Sequence, residues 1–348
     1  MIAMTQTNIL NMSQLELERW MAEQGLEKYR AGQIFQWLYQ RSVFDFEKMT
    51  DLPKDLRQVL KKGFYSSLPE IKEIIRSEDL ATKFLFELED GERIEAVLIP
   101  DENERENTLC VSSQVGCRFG CGFCRTGAIR FKRNLKSGEI LGQYLAARAR
   151  LKSGDEIQRL VFMGMGEPMD NFEEIKKAVC ILTSRSGLRL SPRRITISTA
   201  GVTPLIPEVW SLGVNLAVSL NSAEQEKRAR LMPITRRYPL PNLIQALKQL
   251  DTSGRQKLTA EYVMLKGFND SLQDAFRLAQ MLSGLKIMIN LIRFNSFPGC
   301  AFEPSEEKQV LEFQERLKQS GFLVFIRKSK GADILAGCGQ LAGGTNEP

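Results

Sequence analysis

From about residue 108 onward, seven short apolar runs alternate with amphipathic stretches, and this alternation limits the fold more than any other feature. The runs are TLCVSS, IQRLVFMGM, RRITISTAG, VNLAVSLN, LTAEYVMLKG, KIMINLIRFN and FLVFIRKS. Between them lie helical patterns such as SGEILGQYLAARARL, NFEEIKKAVCILTS, LPNLIQALKQLD and SLQDAFRLAQMLSG. Continuous apolar strands separated by amphipathic helices imply a parallel sheet covered by helices. About six strand–helix units predict an α/β chain with a partial or full barrel, whose site lies at the C-terminal ends of the strands. An open doubly wound sheet is the alternative, but no GxGxxG follows the first strand. The barrel is the favoured architecture.

Residues 1–100 follow a different pattern and read as an accessory module. SQLELERWMAEQG carries a possible capping box, Ser13 with Glu16, and Leu17, Trp20 and Met21 at helical spacing. KYRAGQIFQWLYQR repeats that spacing, and DLPKDLRQVLKKGF starts a further helix with Pro53 near its first turn. ATKFLFELEDGERIEAVLIP reads as a hairpin about Asp90-Gly91. The core is expected to span 101–337, followed by a short tail over 338–348.

No run of eighteen apolar residues exists, so no membrane-spanning helix is predicted. The N-terminus lacks a basic stretch followed by an apolar one, so a cytoplasmic chain is expected, and a monomer with it. The sequence contains no histidine. That excludes a Ser-His-Asp triad, a Cys–His pair and any histidine-ligated metal. Proton transfer near neutral pH falls to a carboxylate, thiol, lysine or tyrosine. The formal charge of +6 is concentrated in Arg125–Lys136, Arg185–Arg194, Glu226–Arg237 and Arg327–Lys330, which raises RNA as a partner without settling it.

Four of the seven cysteines fall between Cys110 and Cys124. In a cytosolic chain they are expected to be reduced rather than knotted by disulfides. Cys117, Cys121 and Cys124 form a C-x3-C-x2-C loop after the first strand of the alternating region. Structural zinc needs four ligands, which Cys110 could complete. Three thiolates alone suit a [4Fe–4S] cluster with one iron left for a small molecule, since iron–sulfur motifs otherwise supply four cysteines. Spacing favours the cluster and leaves zinc open.

The three-cysteine loop with Phe123 before its last cysteine resembles the radical S-adenosylmethionine (SAM) signature. LCVSSQVGC, FKRNL, FMGMGEPMDN, LSPRRITISTAGV, LMPI, GFNDS, NLIRFN and CGQLAG together resemble the RlmN/Cfr family of RNA adenine methyltransferases, in family order over roughly residues 25–343. The resemblance implies a partial (β/α)6 radical SAM barrel with an N-terminal helical accessory domain and a short C-terminal extension. It implies that Cys117, Cys121 and Cys124 hold a [4Fe–4S] cluster. SAM, two molecules per turnover, would touch Gly166, Glu167, Ser198, Ser219, Leu220, Asn221 and Asn295. Cys338 matches the methyl-carrying cysteine, Cys110 the cysteine that resolves the covalent intermediate, and Glu95 the proton acceptor.

The same resemblance implies a reaction that methylates an adenine carbon, C2 or C8, in ribosomal RNA, with transfer RNA as a further candidate target. One SAM methylates Cys338. A second gives a radical that takes hydrogen from this methyl group before it joins the adenine, and an electron donor is required. The chain departs from the family pattern at Asn221, where histidine is usual, at Arg293, where proline is usual, and at Lys330 and Ala332. Cys180, in an apolar helix pattern, and Cys300, in a loop, are both expected to be small buried hydrophobes. Two other readings are a metal-stabilised RNA-binding protein without catalysis and a radical SAM enzyme with a different substrate. Retention of both Cys110 and Cys338 argues for chemistry.

Overall fold

A computed structural model of the chain describes residues 6–101 and 106–344. The accessory helices α1 (Gln14–Glu23), α2 (Arg30–Phe35) and α3 (Lys54–Gly63) come first. The expected capping box is present: Ser13 Oγ accepts from Glu16 N, and the Glu16 carboxylate accepts from Ser13 N at 2.6 Å. Pro53 is the N-cap of α3, where its missing N–H is harmless. Leu17, Met21, Ile34, Phe35, Leu56 and Leu60 bury their side chains in the core shared with the rest of the molecule.

One ten-stranded sheet organises the protein, and its strands pair in chain order. They are β1 (Glu70–Arg76), β2 (Thr82–Glu87), β3 (Arg93–Pro100), β4 (Glu106–Cys110), β5 (Glu156–Phe162), β6 (Ile195–Thr199), β7 (Asn215–Ser219), β8 (Leu258–Met264), β9 (Met288–Arg293) and β10 (Leu323–Arg327). The first four pair antiparallel. From β4 to β10 every pairing is parallel. The connections carry α4 (Ser137–Arg148), α5 (Phe172–Thr183), α6 (Ile206–Ser211), α7 (Gln225–Leu231), α8 (Leu240–Lys248), α9 (Leu272–Leu282) and α10 (Glu307–Gln319). Six strand–helix units and a seventh parallel strand therefore form the partial barrel.

The hairpin at Asp90-Gly91 joins β2 to β3, as the turn residues suggest, with Gly91 at φ 81°. Strand β1 has no counterpart in the sequence reading. Its residues EIKEIIR are mostly exposed, so the strand lacks the buried apolar face that marks the others. Charge on such an edge also discourages pairing with another chain.

Because side chains alternate across a strand, register shows which residues face the barrel interior. Val97 lies opposite Cys110, Cys110 opposite Val161, and Ser198 opposite Ala217. Ser219 lies opposite Glu261, which lies opposite Asn290, and Asn290 opposite Phe325. These belong to one continuous inward-facing set. The sheet is not closed by a pairing of β10 with β1. Instead the segment after β10 bridges the gap: Lys330 Nζ donates to Pro100 O at 2.8 Å, Gly331 N to Asp79 Oδ2 at 2.9 Å, and Ser77 Oγ to the Asp333 carboxylate.

Candidate active site

The cysteine loop follows β4 at the C-terminal edge of the barrel. Gly116 and Gly127 let it fold tightly. A Cβ at 116 would lie 2.4 Å from Arg130 O, where φ is also 73°, and one at 127 would lie 2.8 Å from Cys121 O. Burial pushes the Cys117 thiol up to about 12 and raises Cys121 and Cys124, with Cys124 adding to the rise at Cys117 and Cys121, and Cys117 to that at Cys121. A loop that crowds three half-buried cysteines favours protons on their thiols until a cation replaces them. Among the described residues no three Cys, Asp or Glu side chains converge on a single ion. Three thiols in C-x3-C-x2-C spacing are a donor set that fits a [4Fe–4S] cluster with one open iron.

Beside the loop, Glu167 is buried and caps the turn after β5. Its oxygens accept from Met169 N at 3.1 Å and Ala200 N at 2.8 Å. Its own N–H donates to Gln114 Oε1 at 2.9 Å. Burial pushes its carboxyl up to about 7 against those hydrogen bonds. Gly166 has φ 96°, and a Cβ there would lie 2.5 Å from Gln114 Cβ. Backbone and carboxylate are thus presented together at the strand end.

The residues Ser198, Ser219, Leu220 and Asn221 gather at neighbouring strand ends, and one side chain unforeseen from sequence ties them. Arg228 on α7 is 0% exposed and its guanidinium reaches Leu220 O (2.9 Å), Ser219 O (2.8 Å), Ala200 O (2.6 Å) and Thr235 Oγ1 (2.6 Å). Burial lowers it to about 10, with the Cys121 thiol acting the other way. In sequence it sits within a basic cluster and reads as surface charge. Leu220 is fully buried and offers backbone atoms. Asn221 replaces the expected histidine with a structural brace: it holds φ 56°, its Oδ1 accepts from Val263 N at 2.8 Å, and its Nδ2 donates to Met232 Sδ at 3.2 Å. Asparagine tolerates that left-handed backbone well.

A cavity of about 530 Å³ opens into the barrel interior and is lined by Cys110, Cys124 and Cys338, among others. The tail that carries Cys338 is held at many points. Asn295 Nδ2 donates to Cys338 O at 3.0 Å, Arg125 N to Gly339 O at 2.7 Å, and Thr126 Oγ1 to Leu341 O at 2.7 Å. Gln340 Nε2 donates to Ser296 O at 2.7 Å. Cys338 is exposed as a residue, yet crowding around its thiol raises it, as burial also raises Cys110. Glu95 sits one inward position from Val97, beneath the tail. Its carboxylate accepts from Ala342 N and Gly343 N and pairs with Lys83 at 3.4 Å.

The remaining sequence expectations divide. Cys180 is exposed, because its place on α5 falls outside the face formed by Ile175, Ala178, Val179 and Leu182. Cys300 contacts Gly122 O through its thiol at 3.7 Å. The basic cluster Arg125–Lys136 is partly neutralised within the protein: Lys132 pairs with Glu92 at 2.7 Å, and Arg133 with Asp90 at 2.6 Å and Glu139 at 2.8 Å. Around the cavity, by contrast, Arg193, Lys257, Arg327 and Lys328 form no ion pair among the described residues.

Comparison with known proteins agrees with this geometry. The family model for the ribosomal RNA large subunit methyltransferase N-terminal domain matches residues 7–65, and that for the radical SAM superfamily matches residues 111–279. A protein of Geobacter sulfurreducens described as dual-specificity RNA methyltransferase RlmN is 47% identical, covering 97% of this chain and 93% of that one. The chain belongs to the RlmN family of radical SAM enzymes. A Syntrophus aciditrophicus relative of the same description is 44% identical over 98% of this chain and 97% of its own length. The crystal structure of a radical SAM methyltransferase from Sphaerobacter thermophilus superposes with a TM-score of 0.90 at 37% identity, covering 97% of this chain and 99% of that one. The RlmN family works with a [4Fe–4S] cluster and SAM.

Proposed function

We propose that this RlmN-family chain methylates an adenine carbon, C2, in ribosomal RNA and in transfer RNA, through an S-methylcysteine at Cys338. The observation that carries the reading is the shared cavity: two cysteines outside the C-x3-C-x2-C loop, Cys110 and Cys338, line it together with Cys124. Binding alone needs neither residue. Under this reading Cys117, Cys121 and Cys124 hold the cluster, and Gly166, Glu167, Ser198, Ser219–Asn221 and Asn295 hold SAM. When bound, the cluster and SAM supply a radical that takes hydrogen from the methyl group on Cys338.

The chain's own residues position that event. Asn295 fixes the Cys338 carbonyl, and Arg125 and Thr126 anchor the residues after it to the cluster loop. Apolar side chains around the loop, among them Met232, Ile234, Val263 and Phe294, exclude water from a reactive species. Glu95 accepts the proton lost by the adenine carbon, and Cys110 releases the product, leaving a Cys110–Cys338 disulfide for a cellular reductant. The target adenine leaves its stack to enter the cavity while Arg193, Lys257, Arg327 and Lys328 engage phosphates around it. The enzyme acts as a monomer in the cytoplasm with a separate electron donor.

Two measurements test this. Mass spectrometry of adenosines in RNA from cells with and without the gene should show loss of 2-methyladenosine in the latter. With Cys110→Ala, the bond between Cys338 and adenine should form without being released, so protein joined to RNA accumulates on a denaturing gel. With Cys338→Ala, no methyl transfer should occur. Full methylation by Cys338→Ala overturns the assignment.

A further inference from the structure

We infer that Glu261 is a second proton acceptor of this site, the one that takes the thiol proton from Cys338 when that residue accepts its methyl group. The inference rests on the function proposed above. Besides the proton that Cys110 gives up in forming the disulfide, turnover by that route removes one from the Cys338 thiol and one from the adenine carbon. In a chain without histidine, buried carboxylates are the groups best suited to accept them near neutral pH. Glu95 answers for one, but its carboxylate is already engaged by Lys83, Ala342 and Gly343.

Glu261 is placed differently. It stands in the middle of β8, in a strand whose seven residues are all buried, and register turns it inward between Ser219 and Asn290. It is 8% exposed and lines the same cavity as Cys338 and Cys110. Its Oε1 accepts from Asn290 Nδ2 at 2.9 Å, and it forms no ion pair among the described residues. A carboxylate in an apolar strand, with Arg327 acting on it only from beyond ion-pair distance, is expensive to retain for packing alone. The groups around it fit a proton-accepting role. Strands β7 and β9 present only the uncharged Ser219 and Asn290. Arg327 on β10 and Cys338 on the tail are the titratable groups that act with it.

Burial pushes Glu261 up to about 7, with the Asn290 bond and Arg327 opposing, which makes it a stronger base than an exposed carboxylate yet still ionised in part at neutral pH. After burial itself, Glu261 is the largest influence on the Cys338 thiol. In the step, a proton moves from Cys338 Sγ to a Glu261 oxygen as sulfur bonds to the methyl carbon of a sulfonium donor. The bond from that carbon to the sulfonium sulfur breaks, leaving a neutral thioether. One positive and one negative charge vanish together, and the proton later leaves through the cavity to water.

The test is single-turnover methylation of Cys338 in the cluster-loaded enzyme, read by peptide mass spectrometry. Glu261→Gln preserves an acceptor for Asn290 and should slow this half-reaction about a hundredfold at neutral pH. Glu261→Asp should restore part of the rate, and the wild-type rate should rise through one ionisation near pH 7. Removing a merely repulsive neighbour would instead ease thiol ionisation, so an unchanged or faster rate in Glu261→Gln overturns the inference. A wild-type rate that is independent of pH across that ionisation overturns it too, whatever the stability of the variants. A wild-type enzyme that never methylates Cys338 sinks the proposed function as well. Normal wild-type methylation with an indifferent Glu261→Gln sinks this inference alone.

Discussion

The Glu95 carboxylate accepts the backbone N–H of Ala342 at 2.6 Å, joining β3 to a tail 247 residues further along the chain. With Gly343 N at 3.1 Å and Lys83 Nζ at 3.4 Å, one buried side chain satisfies two backbone donors and an ammonium. Glu95→Ala should therefore destabilise the protein by about 3–5 kcal/mol, because it leaves Lys83 buried without a counter-charge. Denaturant unfolding checks the magnitude, and hydrogen exchange at Ala342 and Gly343 should quicken. Slow exchange in the variant would mean that Glu95 does not hold the tail.

Arg228 makes a prediction about binding. Its fork spans carbonyls from β7 and from the turns after β6 and β7, which lysine cannot reproduce. Arg228→Lys should weaken SAM binding at least about tenfold, equivalent to about 1.4 kcal/mol, while iron content stays unchanged. Calorimetric titration and iron analysis separate the two. Equal SAM affinity would reduce Arg228 to a packing residue.

Stability of the apoprotein should fall as pH rises from about 4.5 to about 7. Glu167 and Glu261 have raised native values, both about 7, against an ordinary 4.5. In that window the unfolded chain has released protons that the native state keeps, so ionisation favours unfolding until the native groups also ionise. Each group contributes on the order of 3 kcal/mol across the window. Thermal midpoints against pH should show the slope, and Glu167→Gln should flatten it. A stability that rises steadily across the same range would contradict both burials.

Gly166→Ala tests the approach of backbone to ligand. At φ 96° with Gln114 Cβ 2.5 Å from the added carbon, alanine introduces strain and a clash at once. A loss of about 1–3 kcal/mol is expected, with weaker SAM binding. Full stability in urea would show that the turn relaxes freely.

Sequence revealed features governed by local rules. The Ser13–Glu16 box, the Asp90-Gly91 turn and the strand–helix alternation each depend on residues a few positions apart. The family motifs also led to residues that gather at the strand ends. Edge strand β1 escaped because its charge hides a two-residue period. Arg228 and Glu261 escaped for a different reason. A charge in a basic cluster reads as solvated, and a carboxylate in LTAEYVMLKG reads as an interruption until register turns it inward. That lone acid in an apolar run was the available clue. Tail closure depends on contacts across more than two hundred residues, which no local pattern encodes.

The bridge from Lys330 to Asp333 also sets an order of assembly. It closes the gap beside β3 and leads directly to the tail that lies over the cysteine loop. Every strand of the sheet is synthesised before that bridge and can pair without it. The cysteine loop can therefore fold while its thiols are still uncovered, and the tail that carries Cys338 docks over it from the far end of the chain.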